Sequence, residues 1–109
     1  MAERNGVTAI QLSVADAERR IHRASKVSDN IIWTLHAKQR MVLRDISSKD
    51  VYAVLQRGML DGAPFINEKG SWQCKMIYRL PGRRTAGVVT VILDRDRLLI
   101  RTVEWEDGK

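Results

Sequence analysis

Three side chains suited to phosphate chemistry recur at intervals of four residues near the middle of the chain. His36, Arg40 and Arg44 fall in the stretch HAKQRMVLR, and this spacing brings side chains to neighbouring positions on one side of an α-helix. Histidine exchanges protons near neutral pH, and arginine offers a fixed charge that fits phosphate oxygens. The spacing therefore favours a site that acts on a phosphate group, in which an imidazole moves a proton and guanidinium groups stabilise the charge on the phosphate.

The C-terminal half of the chain supplies further candidates. Three of them, Arg79, Arg101 and Thr102, lie on predicted strands that could converge with this helix on one cleft. The predicted catalytic set is His36, Arg40, Arg101 and Thr102. The set predicted to contact nucleic acid is Arg44, Lys75, Arg79, Arg83 and Arg84. Tyr78 or Trp105 would be available to stack a base.

Each member of the helical group also has a structural interpretation. His36 could bond a neighbouring backbone carbonyl. Arg44 could pair with Asp45, with Asp50 or with an acidic residue near the C-terminus. Arg40 could hold two helices together through an acidic partner. The sequence leaves both interpretations open.

The chain is strongly basic. Its 109 residues include 19 Lys or Arg against 13 Asp or Glu, a net charge of +6, and thirteen of the basic residues are arginine. This balance favours a polyanionic partner such as RNA, although an acidic protein would be attracted as well. A hydrophobic fraction of 44% with 29% charged residues is typical of a globular chain, and the length suits one domain over residues 1–109.

Several kinds of site have no motif in this sequence. It contains no Gly-rich phosphate loop, no cluster of metal ligands and no Ser–His–acid motif, so we expect neither a metal nor a cofactor. The single cysteine, Cys74, cannot form an internal disulfide and is expected to be a buried thiol. Without a long apolar run or a signal-peptide pattern, we expect a cytoplasmic protein that does not contact a membrane.

Helical periodicity occupies the N-terminal half. The first predicted helix begins in SVADAERRIHRA, and the second covers NIIWTLHAKQRMVLR, with Ile31, Leu35 and Val42 on its apolar stripe. The third covers ISSKDVYAVLQRG and ends at Gly58. The predicted N-cap residues are Ser13 for the first helix, Ser28 or Asp29 for the second, and Ser47 or Ser48 for the third.

The pattern changes from helical to alternating after Gly58. WQCKMIYRL, VVTVIL and LLIRTVEW are predicted strands, and VVTVIL is apolar on both faces, so it should be central. MLDGAPFIN could add an edge strand, since Pro64 would be costly in a central one. The sequence therefore predicts an α+β fold, with two to three N-terminal helices packed on one face of a three- to four-stranded antiparallel sheet.

The helical block resembles a small bacterial family of domains of unknown function, family 4258. The family pattern H-A-x-x-R-M-x-x-R-x-I-S-x-x-D-V is matched at every position between His36 and Val51, and LLIRTV is similar to its closing strand. The resemblance covers about residues 33–105. It implies a fold related to the RelE-like and barnase-like endoribonucleases. It also implies that the gene lies beside antitoxin-like genes. It also divides the chain into an N-terminal extension with a helix, residues 1–28, and a toxin-like core, residues 29–105.

Two functional hypotheses from different classes follow. The first is a toxin-like RNA endonuclease of the mRNA interferase type, which cleaves RNA, including ribosome-associated RNA, and is neutralised by an antitoxin-like protein. The second is a non-catalytic basic module that holds nucleic acid or an acidic protein, such as a phage- or plasmid-borne modulator. A degenerate toxin fold kept for protein association is a third alternative. Growth arrest on expression would favour the first, and the sequence does not predict an oligomeric state.

Overall fold

The computed structural model describes residues 11–107, which form three α-helices and six strands. Two short 3-10 helices, Ser28–Asn30 and Asp94–Asp96, connect them. The helices are α1 (Val14–Ala24), α2 (Leu35–Arg44) and α3 (Ser48–Arg57). The strands are β1 (Ile31–Trp33), β2 (Met59–Leu60), β3 (Phe65–Ile66), β4 (Trp72–Arg79), β5 (Thr85–Ile92) and β6 (Leu98–Trp105).

All six strands belong to one sheet in the order β1-β6-β5-β4-β2, with β3 also paired to β4. The predicted α+β class is confirmed, and VVTVIL lies in the sheet interior because β5 pairs with both β4 and β6. The predicted edge strand exists as two pieces, β2 and β3, both antiparallel to β4. The sheet differs from the prediction in having six strands, one of which, β1, runs parallel to β6.

The second helix is shorter than the sequence pattern predicted. Ile31–Trp33 pairs with residues 98–100 of β6 as a strand, and α2 begins only after Thr34. The Thr34 hydroxyl accepts a hydrogen bond from the amide of Ala37 at 3.0 Å, while neither Ser28 nor Asp29 caps this helix. The prediction was wrong here because an Ile-Ile-Trp run favours a strand once a partner strand is available, and Thr34 is a good N-cap.

One face of the sheet is covered by the helices. α3 packs on β4 and β5, and α1 packs on α3, so Ile21 of α1 and Leu55 of α3 are buried with the sheet residues Met76, Val88 and Ile100. The predicted caps of these two helices are confirmed, since Ser13 accepts from the amide of Asp16 and Ser47 accepts from that of Asp50. Helices α1 and α3 therefore supply all but one of the buried helical residues of the core.

Helix α2 packs differently from the other two helices. It lies along β6, and of its ten residues only Ala37 is buried. The predicted apolar stripe was wrong for Leu35 and Val42, which are 72% and 84% exposed. A helix placed against a strand edge covers less of its own surface than one that lies on a sheet face. α2 therefore leaves most of its surface, including His36, open to solvent.

Candidate functional site

A cleft of about 340 Å³ opens between the start of α2, the β3–β4 loop and the outer parts of β5 and β6. His36 and Arg101, both predicted to be catalytic, line it together with Glu68 and Lys69. Apolar side chains, including Leu99, form part of the wall. We call this feature the His36–Arg101 cleft. It joins an imidazole, a guanidinium and a carboxylate that are far apart in the sequence.

Thr34 explains how the start of α2 reaches Arg101. Its hydroxyl donates a hydrogen bond to the carbonyl of Ile100 at 2.7 Å while it caps the helix. His36 follows two residues after Thr34, and Arg101 follows directly after Ile100. One threonine thus fastens the two segments that carry the imidazole and the guanidinium.

Arg101 occupies an irregularity of the sheet. Thr90 pairs with Ile100 and Val89 pairs with Thr102, so Arg101 is the extra residue of a β-bulge. Bulges change the direction of a side chain and often occur beside active sites. Here the bulged residue is the one whose guanidinium enters the cleft.

The Arg101 guanidinium is held by two acceptors. Its Nη1 donates to Gln73 Oε1 at 2.9 Å and to Glu68 Oε2 at 3.1 Å. The pKa of the Glu68 carboxyl lies below its usual value because a hydrogen bond from its own backbone amide stabilises the charged form; desolvation opposes this, and the nearby Arg101 adds to the lowering. Glu68 is therefore a carboxylate at neutral pH.

The loop that carries Glu68 is organised by Asn67. The Asn67 side-chain oxygen accepts from the amides of Lys69 and Ser71 at 2.9 and 3.1 Å, and its amide group donates to Gln73 Oε1 at 3.1 Å. Gln73 also receives the Arg101 hydrogen bond. Glu68 and Arg101 are thus positioned by one connected network.

His36 and Arg40 keep the neighbour relationship that their spacing predicted. Arg40 Nε donates to His36 Nε2 at 3.4 Å, a long contact on the solvent side of α2. In this contact the ring nitrogen of His36 is the acceptor. Among the described residues, His36 makes no hydrogen bond to a backbone carbonyl, which was its structural alternative. Within the same residues, Arg40 has no acidic partner, which was the alternative considered for it.

Two predicted site residues lie away from the cleft. Arg44 donates from Nη1 to the carbonyl of Val103 at 2.8 Å, in place of the acidic partners considered from the sequence. Thr102 pairs with Val89 in the sheet and does not line the cleft. The structure thus brings His36 and Arg101 together in the cleft, places Arg40 beside His36 but outside the cleft lining, and separates Arg44 and Thr102 from them.

A second basic feature lies at the other end of α2. Four of the five residues predicted to contact nucleic acid line an open depression of about 600 Å³ together with Trp105, and we call it the arginine depression. The four residues are Arg44, Arg79, Arg83 and Arg84. The guanidinium carbons of the last two lie 5.0 and 4.6 Å from the centre of the Trp105 ring, within the range of a cation–π contact.

The members of the arginine depression differ in how far their charge is compensated. Arg83 pairs with Asp50 at 2.9 Å and donates to the Asp45 carbonyl at 2.8 Å, and Arg84 pairs with Asp107. Arg79 is exposed and makes no ion pair within residues 11–107. Trp105 is buried beneath the guanidinium groups, so it positions arginines and offers no free face to a base.

Lys75, the fifth predicted nucleic-acid contact, belongs to neither site. Its ammonium lies 2.9 Å from Glu106, 3.1 Å from Glu104 and 3.6 Å from Asp61. Partial burial would lower the pKa of Lys75, but the hydrogen bonds to Glu106 and Glu104 outweigh it and raise that pKa above its usual value. This charge is balanced within the protein and is not available to a phosphate.

Sequence reasoning missed Glu68, Asn67 and Gln73. The only local signal was the tight Asn-Glu-Lys-Gly-Ser connection between two strands, and turn residues of this kind are common without any functional meaning. Within residues 11–107, no group of three or more His, Cys, Asp or Glu is arranged to hold a metal ion. In that same part of the chain, every helix is too short or too polar to span a bilayer.

The fold and cleft define a small α+β domain with a mixed sheet and a basic cleft at the junction of a helix and the sheet. The sequence model of a family described as a domain of unknown function, DUF4258, matches residues 33–105. The chain therefore belongs to the DUF4258 family. No curated protein and no solved structure matches the chain.

Proposed function

We propose that this domain is a toxin-like endoribonuclease that cleaves RNA without a metal ion. The observation that carries the proposal is the convergence of His36 and Arg101, from α2 and β6, on one cleft. His36 is exposed and contacts no backbone carbonyl among the described residues. It therefore retains the freedom that a proton-transfer group needs.

The residues in and beside the cleft have different roles in the proposed reaction. His36 transfers a proton, while Arg101 and Arg40 stabilise the negative charge that accumulates on the phosphate in the transition state. The arginine depression, at the other end of α2, holds the RNA backbone through Arg79 and its neighbours. The expected relation of this family's fold to toxin-like endoribonucleases also favours this assignment. In this proposal an antitoxin-like protein neutralises the activity.

The direct test is incubation of the purified protein with total RNA, with and without a chelator. Cleavage that survives the chelator is expected from the wild type. His36→Ala should lose about two to four orders of magnitude in rate, the usual contribution of a positioned acid–base group. Gln39→Ala, an exposed neighbour on α2 that does not line the cleft, is the matched control and should keep full activity.

A second function is favoured by the arginine depression alone. The arginine depression would provide phosphate contacts, but it contains no pair of residues for acid–base catalysis. A non-catalytic module that binds nucleic acid would need this depression and not the His36–Arg101 cleft. In that case the wild type binds RNA tightly, leaves it intact and does not arrest growth on expression. Arg79→Ala would weaken binding while His36→Ala would not.

A further inference from the structure

We propose that Glu68 is the general base of the His36–Arg101 cleft and that His36 is its general acid, an inference that rests on the proposed endoribonuclease function. The substrate class is RNA with a free ribose 2′-hydroxyl at the scissile position. Glu68 supplies the carboxylate of the cleft, since the other residues that line it have neutral or basic side chains.

The position of Glu68 suits contact with substrate better than a purely structural role. Its side chain is 60% exposed although it pairs with Arg101. The Asn67-centred loop fixes its backbone, and Arg101 orients its carboxylate. A base must be held in place and still be reached by the hydroxyl it deprotonates, and Glu68 meets both conditions.

Arg101 can serve Glu68 and a phosphate at the same time. Its hydrogen bonds to Glu68 and Gln73 all use Nη1. Within residues 11–107, no acceptor is bonded to its Nε or Nη2. These two nitrogens form one edge of the guanidinium fork, the edge that a phosphate can engage with two parallel bonds.

The two titratable groups must have opposite proton occupancy for acid–base catalysis. The pKa of Glu68 is held below its usual value by its own backbone amide and by Arg101, so Glu68 takes the part of the base. His36 must then enter the reaction as the imidazolium. Protonation of Nε2 removes the acceptor that Arg40 now contacts, which frees the Arg40 guanidinium for the phosphate.

The reaction balances without any further reactant. Glu68 takes the proton of the 2′-hydroxyl, and the 2′-oxygen forms a bond to phosphorus. The bond between phosphorus and the 5′-oxygen breaks, and the imidazolium of His36 gives its proton to that oxygen. The products are a 2′,3′-cyclic phosphate and a 5′-hydroxyl end, and solvent returns Glu68 and His36 to their starting protonation states.

The test uses a short oligoribonucleotide and its analogue with a 2′-deoxyribose at the scissile position. Wild type should release the cyclic phosphate from the first and leave the second intact. Glu68→Gln keeps an acceptor for Arg101 but cannot take a proton, so kcat/KM should fall about 10²–10⁴-fold. Its residual activity should lack the acid-side limb of the wild-type pH profile, which a positioning role alone would leave in place.

The control for this substitution is Asp29→Asn, a carboxylate-to-amide change at an exposed residue outside the cleft, which should behave as wild type. If Glu68→Gln cleaves within a few-fold of wild type while His36→Ala does not, Glu68 is not the base and the endoribonuclease function stands. Cleavage of the 2′-deoxy analogue overturns this assignment in the same way. If the wild type cleaves no RNA, both proposals fail.

Discussion

Arg44 and Trp105 join helix α2 to the last strand by a reciprocal pair of hydrogen bonds. The Trp105 indole donates to the backbone carbonyl of Arg44 at 2.8 Å, and the Arg44 guanidinium donates to the carbonyl of Val103, also at 2.8 Å. Val103 lies beyond the part of β6 that β1 pairs with, which ends at Ile100. Arg44 therefore donates a hydrogen bond to a backbone carbonyl at a part of β6 where β1 no longer pairs with it.

Arg44→Ala should destabilise the fold more than it changes any chemistry. The substitution leaves a strand carbonyl without its charged donor, which typically costs about 1–3 kcal/mol. Urea unfolding measures the loss. Arg40→Ala on the same helix is the matched control and should change the free energy of unfolding little, since the hydrogen bond of Arg40 is the long one to His36. Equal stability of the two variants would contradict a structural role for Arg44.

RNA binding should weaken as salt rises, because each neutralised phosphate releases condensed counterions. Arg79 is the arginine of the depression whose charge is least compensated, so Arg79→Ala should flatten the slope of log K against log salt by about one unit. Fluorescence anisotropy over a salt series measures it. Lys26→Ala removes an exposed charge elsewhere, and an equal change in slope there would rule out a local contact at Arg79.

Gly58 is required for space and not for an unusual backbone angle. It ends α3 with φ −80°, an ordinary value, but a Cβ would lie 2.5 Å from the carbonyl oxygens of both Ile77 and Val54. Gly58→Ala should therefore cost about 1–3 kcal/mol through overpacking. Gly62 has φ +83° and open space around it, so Gly62→Ala is strained only in its backbone. Denaturant unfolding of both variants tests whether crowding at Gly58 is the larger cost.

Asp50 links stability to acid pH. Desolvation would raise its pKa, but hydrogen bonds from Ser47 and Arg83 outweigh this and keep the pKa of Asp50 below its usual value. A carboxylate with a lowered pKa stabilises the fold above its unfolded-state pKa of about 3.9, and this contribution is lost as pH falls through the folded-state value. The difference in unfolding free energy between wild type and Asp50→Asn should thus be largest near neutrality and shrink below about pH 4. A constant difference across an acid titration would contradict this.

Local signals determined much of the fold in advance. Ser13 and Ser47 marked the starts of α1 and α3, because a hydroxyl that satisfies a helix amide acts within three residues of sequence. Alternation marked β4 and β6, and the doubly apolar VVTVIL marked the central β5. Successive side chains of a strand point to opposite faces, so the order of apolar and polar residues shows whether one or both faces are buried.

Only the tertiary structure decided which candidates share a site. Successive positions four apart on an α-helix advance by about 40° around its axis, so Arg44 lies about 80° from His36. One side chain therefore enters the cleft and the other reaches the edge of β6. Glu68 joins the cleft because β3 and β4 place their loop beside the bulge at Arg101, and Ile31–Trp33 becomes a strand because β6 offers it a partner. Contacts between distant segments fix these outcomes, whereas a sequence pattern reports only on neighbouring residues.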